Sequence, residues 1–353
     1  MAELFPELLQ IVLKENASDL HLSVGRHPGI RVNGALFELA KYPILTPALI
    51  KELIFVMLSK EQQERFLLKR ELDLSYAFKE TARFRVNVFF QRGYMGAALR
   101  YISTTIRNFT ELNLPPILAE FCNRQQGFIL VVGPTGHGKT TTLAAMVDYI
   151  NHARTEHIIT VEDPIEYLFT SDRSIIDQRE VGADTQSFAR ALRSMFREDV
   201  DVAMIGEMRD PETMAMAVTA AETGHLIFSS IHTNNAAQTL DRIIDSFPAH
   251  QQGQVRAQLA STLVAIVSQR LIPRVAGGLI PAVEVLIGTP AVRTLIREAK
   301  THEIDLVIET SSDQGMVSLN RTLVDLVRRG EITMDQAMDY SLNADEFRSL
   351  LAG

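Results

Sequence analysis

Along this chain the period of hydrophobic positions changes several times, and each change predicts an element. Leu4, Phe5, Leu8, Leu9, Ile11, Val12 and Leu13 recur at helical spacing and predict an amphipathic first helix. Leu20, Leu22 and Val24 then alternate with His21 and Ser23, and Ile30 and Val32 approach the hairpin dipeptide Asn33-Gly34, so a small antiparallel sheet is expected. Thr46-Pro47 caps and opens a helix ending near Leu58, and a second helix runs from about Ser59 to Lys69. The two-residue period returns at Leu72, Leu74, Tyr76 and Phe78. It continues where Phe84, Val86 and Val88 alternate with Arg83, Arg85 and Asn87, and after a turn at Gly93 a further strand reaches Arg100. The segment from Ile106 to Pro116, ending Asn113-Leu114-Pro115-Pro116, reads as a linker.

Beyond the linker the pattern is of another kind. The short apolar runs Phe128–Val132, His157–Val161, Val202–Ile205 and Leu226–Ile231 have the look of strands buried on both faces, and helical segments separate them, as in a parallel α/β sheet. One helix follows the first run and ends near Asn151, and another spans Pro211 to Thr223, its Met214 and Met216 serving packing. From Asn235 a helical reading holds, with a break near Pro248, as far as Gln269-Arg270-Leu271-Ile272-Pro273. Gly277-Gly278 turns the chain into one more strand, and the remainder is mostly helical, with amphipathic stretches at Ala291–Lys300 and Leu319–Arg329.

Composition narrows the class without naming a function. The 353 residues suffice for two or three domains, and a hydrophobic fraction of 46% fits a folded globular protein with no segment of disordered composition. Thirty-five Lys and Arg against 43 Asp and Glu give a net charge of −8, which argues against stable nucleic-acid binding and against a general binder of anionic membranes. The single Cys122 excludes an intrachain disulfide framework and a cysteine-rich zinc site within one chain, and it reads as a buried apolar residue. No apolar run reaches the roughly 18 residues of a membrane span. The start, Met1-Ala2-Glu3-Leu4-Phe5, lacks the layout of a signal peptide, so a soluble cytoplasmic protein is expected.

The chemistry begins at Gly133-Pro134-Thr135-Gly136-His137-Gly138-Lys139-Thr140, directly after the run Phe128–Val132. This is a P-loop between a strand and a helix. Gly133, Gly136 and Gly138 let backbone N–H groups close around phosphate oxygens, Lys139 reaches the terminal phosphates, Thr140 offers a hydroxyl to Mg²⁺, and Thr141 opens the helix. ATP and Mg²⁺ are the implied cofactors. Glu162-Asp163-Pro164-Ile165-Glu166 follows the second run, at the strand end where open parallel sheets bind ligands. These carboxylates are read either as loop solvation or as holders of Mg²⁺ and water. Gly206-Glu207-Met208-Arg209-Asp210 follows the third run, and Glu207 is the first candidate to polarise the attacking water or hold the metal. His225 and His232 bracket the fourth run and are too few ligands for zinc; His225 is grouped with the nucleotide-binding residues, where it would fix local geometry, and His232 is assigned to sensing the γ-phosphate. Arg83, Arg85 and Arg100 are either a solvated sheet face or, beside an NTPase domain, arginines that stabilise a transferring phosphoryl group.

Together these motifs resemble the hexameric secretion-superfamily ATPases, and most closely the pilus-retraction ATPases of type IV pili, the PilT type. The resemblance covers nearly the whole chain. It rests on Ala17-Ser18-Asp19-Leu20-His21, the P-loop, Val161–Glu166 as the Asp box, Gly206–Asp210 as Walker B, and Thr223-Gly224-His225 to His232-Thr233 as the His box. It implies a PAS-like α/β domain over residues 1–105, a linker over 106–116, and a RecA-like ATPase domain over 117–353 whose last part, from about 280, is helical. It implies a homohexamer that hydrolyses ATP to power pilus retraction and twitching motility. Glu207 would be the catalytic glutamate, Glu162 the Asp-box glutamate, and Arg85 and Arg100, with Arg83 as a third, the first-domain arginines facing nucleotide.

The implied partners are an inner-membrane pilus platform protein, which would hold the ring at the cytoplasmic face of that membrane, and a paralogous retraction ATPase. The single cysteine and the similarity of Ala291–Glu298 to the family's C-terminal segment favour retraction over assembly. An accessory retraction paralogue, an assembly or secretion ATPase, and a nucleotide-gated structural ring are the competing readings. The chain departs from the family pattern at His137, Thr140, Val200, Val292 and Thr294. His137 replaces a customary serine, a change the sequence does not explain.

Overall fold

Residues 4–32, 34–79, 82–102 and 105–352 are described by the structure, a computed structural model. Met1-Ala2-Glu3, read above for a targeting signal, and Asn33 of the expected hairpin turn lie outside them. Residue contacts divide the chain into two units, Met1–Thr105 with Pro164–Leu168, and Ile106–Asp163 with Phe169–Gly353.

In the first unit, helix α1 (Leu4–Lys14) precedes strands β1 (Asp19–Leu22), β2 (Gly29–Val32) and β3 (Ala35–Glu38), then helices α2 (Pro47–Met57) and α3 (Lys60–Lys69), then β4 (Glu71–Phe78), β5 (Ala82–Gln91) and β6 (Tyr94–Ile102). The strands form one antiparallel sheet in the order β3-β2-β1-β6-β5-β4, with Val32 opposite Ala35 across the predicted hairpin. The helix boundaries are chemical. Thr46 caps α2 ahead of Pro47, and Ser59 and Gln62 form a reciprocal capping box at α3. Phe84, Val86 and Val88 are fully buried with Phe5, Leu8, Leu9 and Leu99, which places Arg83 and Arg85 on the opposite face of β5. The all-exposed strand β3 is legible in no hydrophobic pattern.

The second unit begins with the stretch expected as a linker. It has no regular element, but Phe109 stacks on Tyr149 at 5.4 Å. Its elements are α4 (Ile117–Cys122), β7 (Gly127–Val132), α5 (Lys139–Ala153), β8 (His157–Glu162), β9 (Ile175–Glu180), α6 (Phe188–Met195), β10 (Val202–Ile205), α7 (Pro211–Glu222) and β11 (Leu226–Ile231). There follow α8 (Ala236–Asp245), α9 (Ala249–Thr262), β12 (Leu263–Pro273), β13 (Leu279–Ile287), α10 (Pro290–Arg297), α11 (Ile304–Thr310), α12 (Leu319–Arg328), α13 (Met334–Tyr340) and α14 (Ala344–Ala352).

The sheet order is β13-β12-β7-β11-β10-β8-β9, parallel throughout except for the β12–β13 hairpin. Both of its faces are covered, so every residue of β7, β10 and β11 is buried, as the continuous apolar runs require. Cys122 is buried in the same core, and desolvation pushes its thiol well above the ordinary range. The α/β class with a mainly parallel sheet and a helical C-terminus is as expected.

One expectation fails. The helical reading carried from Asn235 to Pro273 is correct only to Thr262, and Leu263–Pro273 is a strand between β7 and β13. Val264, Ile266, Val267 and Ile272 favour an extended backbone, and seven of the eleven residues are buried. No glycine or proline separates α9 from β12, so the boundary leaves no mark in the sequence.

Candidate nucleotide site

Register brings the motifs together. Ile231 pairs with Val132, Ser229 with Ile205 and Ile205 with Val161, so β7, β8, β10 and β11 end side by side. Gly133, Glu162, Gly206-Glu207 and His232 are the residues on which these strands end or that follow within two positions.

The P-loop glycines are required by backbone and by space. Gly133 has φ of 147° and Gly138 of 79°, values that L side chains rarely adopt. A Cβ at Gly133 would lie 2.3 Å from the Gln269 carbonyl oxygen, and one at Gly138 2.9 Å from Gln269 Nε2. The end of β12 thus presses against the loop. Lys139 is buried and curls over the loop, donating from Nζ to the carbonyls of Gly133 at 2.9 Å and Pro134 at 3.0 Å. Its ammonium also lies 3.2 Å from His232 Nδ1. Thr140 and Thr141 occupy the first turn of α5.

An ammonium can only donate, so His232 Nδ1 accepts and the ring proton sits on Nε2. Nε2 lies 3.0 Å from Glu207 Oε1, completing a chain from Lys139 through His232 to Glu207, and Thr135 Oγ1 lies 3.3 Å from the same Nδ1. The other Glu207 oxygen accepts from Arg209 Nη2 at 2.9 Å. Burial pushes the Glu207 carboxyl up, but the Arg209 hydrogen bond and the contact with His232 outweigh it, and its pKa lies below the ordinary value. Ser230 Oγ donates to the Gly206 carbonyl at 2.6 Å and Met208 N to the Ser230 carbonyl at 3.1 Å, pinning the loop that carries Glu207 to β11.

Glu162 is 2% exposed, and its Oε1 accepts from Thr160 Oγ1 at 2.7 Å and Gln178 Nε2 at 3.3 Å. A Cβ at Gly206 would sit 3.5 Å from the Glu162 Cα, in ordinary contact, so Glu162 and the start of the Glu207 loop are neighbours.

Two groups of candidates are not among these residues. His225 was grouped with the nucleotide-binding residues, but it precedes β11, at the end of the sheet away from the P-loop, roughly 20 Å from His232 at about 3.3 Å per strand residue. Its Nδ1 lies 3.0 Å from the Ala220 carbonyl and its ring meets Phe196 edge-on, which is a local structural role. Arg83, Arg85 and Arg100 belong to the first unit. Arg85 and Arg100 are opposite each other on β5 and β6, Arg100 donates to the buried Asp19 at 2.9 Å, and Arg83 Nε donates to Ser75 Oγ. Arg85, Arg100 and Tyr101 line a cavity of about 290 Å³ with the loop Pro164–Tyr167, which the chain contacts assign to this same unit.

Comparison with known proteins shows the family. The family described as Type II/IV secretion system protein matches residues 1–279. The type IV pilus retraction ATPase PilT of Pseudomonas aeruginosa is 42% identical over 341 residues, 97% of this chain and 99% of that protein. The chain belongs to the PilT-type retraction ATPases of the type II/IV secretion family. The crystal structure of the pilus retraction motor PilT with bound ADP is similar over 98% of both chains, with a TM-score of 0.91 and 45% identity. The type IV pilus ATPase PilU of Pseudomonas aeruginosa is 40% identical, over 98% of this chain and 91% of that protein. This PilT-type ATPase has, among its described residues, no helix long and apolar enough to cross a membrane.

The residues that sequence reasoning missed are Gln269 and Leu271. Gln269 Nε2 donates to the His137 carbonyl at 2.8 Å, and Leu271 N donates to His137 Nδ1 at 2.9 Å. With β12 read as helix, nothing in the sequence placed either beside the P-loop.

Proposed function

We propose that this chain hydrolyses ATP to ADP and phosphate as one subunit of a homohexameric ring that powers type IV pilus retraction and twitching motility. The observation that carries the chemical part is the hydrogen-bonded chain Lys139–His232–Glu207 at the ends of adjacent parallel strands. In this reading the backbone of Gly133–Thr141 cradles the phosphates, and Lys139 turns from the loop carbonyls to the terminal phosphate. Glu207, kept ionised by Arg209, accepts the proton of the attacking water. His232 holds Glu207 in place and meets the γ-phosphate.

The oxygens of Thr140, Glu162 and Glu207 suit Mg²⁺, a hard cation held by one or two carboxylates together with substrate phosphates and water. No group of three His, Cys, Asp or Glu among the described residues forms a cage of its own, and that mode of binding requires none. Bound there, the ion would neutralise phosphate charge as the bond to the leaving group breaks. Arg83, Arg85 and Arg100 would add positive charge from a first domain spanning residues 1–105, joined through 106–116 to an ATPase domain of 117–353. The ring would work at the cytoplasmic face of the inner membrane on a platform protein, alongside a paralogous ATPase.

Steady-state phosphate release by the purified ring tests the enzyme reading. Glu207→Ala should lower kcat by roughly 10² to 10⁴ while nucleotide still binds, and equal, negligible rates for the two proteins would overturn it. In cells, a deletion strain should retain surface pili and lose twitching. Loss of pili would assign the motor to assembly instead.

A further inference from the structure

Strand β12 outruns its neighbour. Its parallel pairing with β7 ends at Ser268 opposite Val132, because β7 there becomes the P-loop, while β12 continues through Gln269, Arg270 and Leu271 to Pro273. The backbone groups that faced β7 need new partners beyond that point, since an unpaired N–H away from water is costly. For the Leu271 N–H the P-loop supplies one. Gln269 is 3% exposed, and its side-chain amide is shared between two loop-side groups: Oε1 accepts from Thr142 Oγ1 at 2.7 Å and Nε2 donates to the His137 carbonyl. The next N–H on that side, from Leu271, donates to the His137 ring at Nδ1, at 2.9 Å.

The ring can accept there only with Nδ1 unprotonated. The Leu271 donor sets that tautomer, and the surroundings favour the neutral ring: desolvation, then the charges of Arg270 and Lys139, hold the His137 pKa below the usual histidine value. Its edge also meets the Tyr340 ring on α13, with centroids 6.4 Å apart, which limits where the imidazole can swing. The loop is therefore attached to β12 at two places, both through His137, and the helix that follows it at a third through Thr142; one of the two loop attachments exists because residue 137 is histidine. A serine at this position ends one bond nearer the backbone than Nδ1, too short to occupy the same point. Asparagine Oδ1 sits the same number of bonds out as Nδ1 and can only accept.

We infer that His137 is a positioning residue for nucleotide, an uncharged acceptor that continues the β12 ladder and holds the phosphate-binding loop in its binding-ready shape. The inference rests on the nucleotide-site reading and adds a determinant of affinity to it. A loop that fills its binding-competent shape only part of the time binds in proportion to that fraction.

The test is equilibrium binding of ADP and of ATP to the full-length protein, wild type against His137→Ala, His137→Ser and His137→Asn, with circular dichroism as a check on folding. The alanine and serine variants should bind roughly tenfold more weakly, the size expected when a partly buried N–H loses its acceptor. Asparagine should recover most of the loss, and in turnover assays the change should fall on KM for ATP more than on kcat. If His137→Ala fails to fold, the serine and asparagine pair carries the comparison. Serine equal to wild type, or asparagine as weak as serine, would overturn the inference while leaving the site reading standing. Failure of wild type itself to bind nucleotide would overturn both.

Discussion

Glu284 on β13 offers a stability prediction whose size can be worked out beforehand. The side chain is 6% exposed, and its Oε1 accepts from the Ala236 N–H that begins α8, at 2.8 Å, and from Ser268 Oγ on β12, at 3.1 Å. Burial pushes its carboxyl from an ordinary 4.5 up to about 7, and the charge of Asp305 adds to this, while the two hydrogen bonds and Arg270 oppose it. The native state therefore binds more protons here than the unfolded chain does between those values. The group's contribution is fully present below the unfolded value and is lost as pH rises through about 7.

At about 1.4 kcal/mol per pH unit, the stability lost by pH 8 is on the order of 3 kcal/mol. Glu284→Gln keeps an oxygen acceptor for Ala236 and Ser268 and removes the ionisation. The assay is urea unfolding followed by far-ultraviolet circular dichroism at pH 5, 6, 7 and 8. The variant's advantage over wild type should grow by about 2 to 3 kcal/mol between pH 5 and pH 8. A difference between the two proteins that stays constant across this range would refute the reasoning.

Two further substitutions test how the P-loop unit is built. Arg154 donates through Nη1 to the carbonyls of Cys122 and Arg124, both at 2.7 Å, and pairs with Glu156. Arg154→Ala should cost about 2 to 3 kcal/mol in a chemical denaturation, because it strands the part-buried Cys122 carbonyl and the Glu156 carboxylate together. Gly133→Ala sets a methyl group 2.3 Å from the Gln269 carbonyl at a φ of 147°. It should lower the melting temperature, cost on the order of 3 kcal/mol, and abolish ADP binding in calorimetry.

Much of the second unit was legible because its strands are buried on both faces. Phe128–Val132 and Leu226–Ile231 had to be apolar throughout, and a chemical residue directly after such a run has to lie at the ligand end of the sheet. The same logic misled at His225, since two histidines that bracket one strand look equivalent in sequence yet stand at opposite ends of it. Strand β12 was hidden for a different reason. The polar helix Ala249–Thr262 flows into it without a breaker, and period alone cannot tell a short buried strand from a buried helix turn. Strand β9, Ile-Ile-Asp-Gln-Arg-Glu at the sheet edge, carries too little apolar pattern to be read at all. His137 was inexplicable while β12 was missing, because its partner is a backbone group 134 residues away.

The chain from Lys139 through His232 to Glu207 has a polarity of its own. Hydrogen bonds run one way along it, ammonium to imidazole to carboxylate, so the three groups behave as a lever with a positive head and a negative tail. On the nucleotide-site reading proposed above, an anion that draws the head away from Nδ1 breaks the first of these two contacts, so the place of the ammonium is felt two groups away, at the carboxylate.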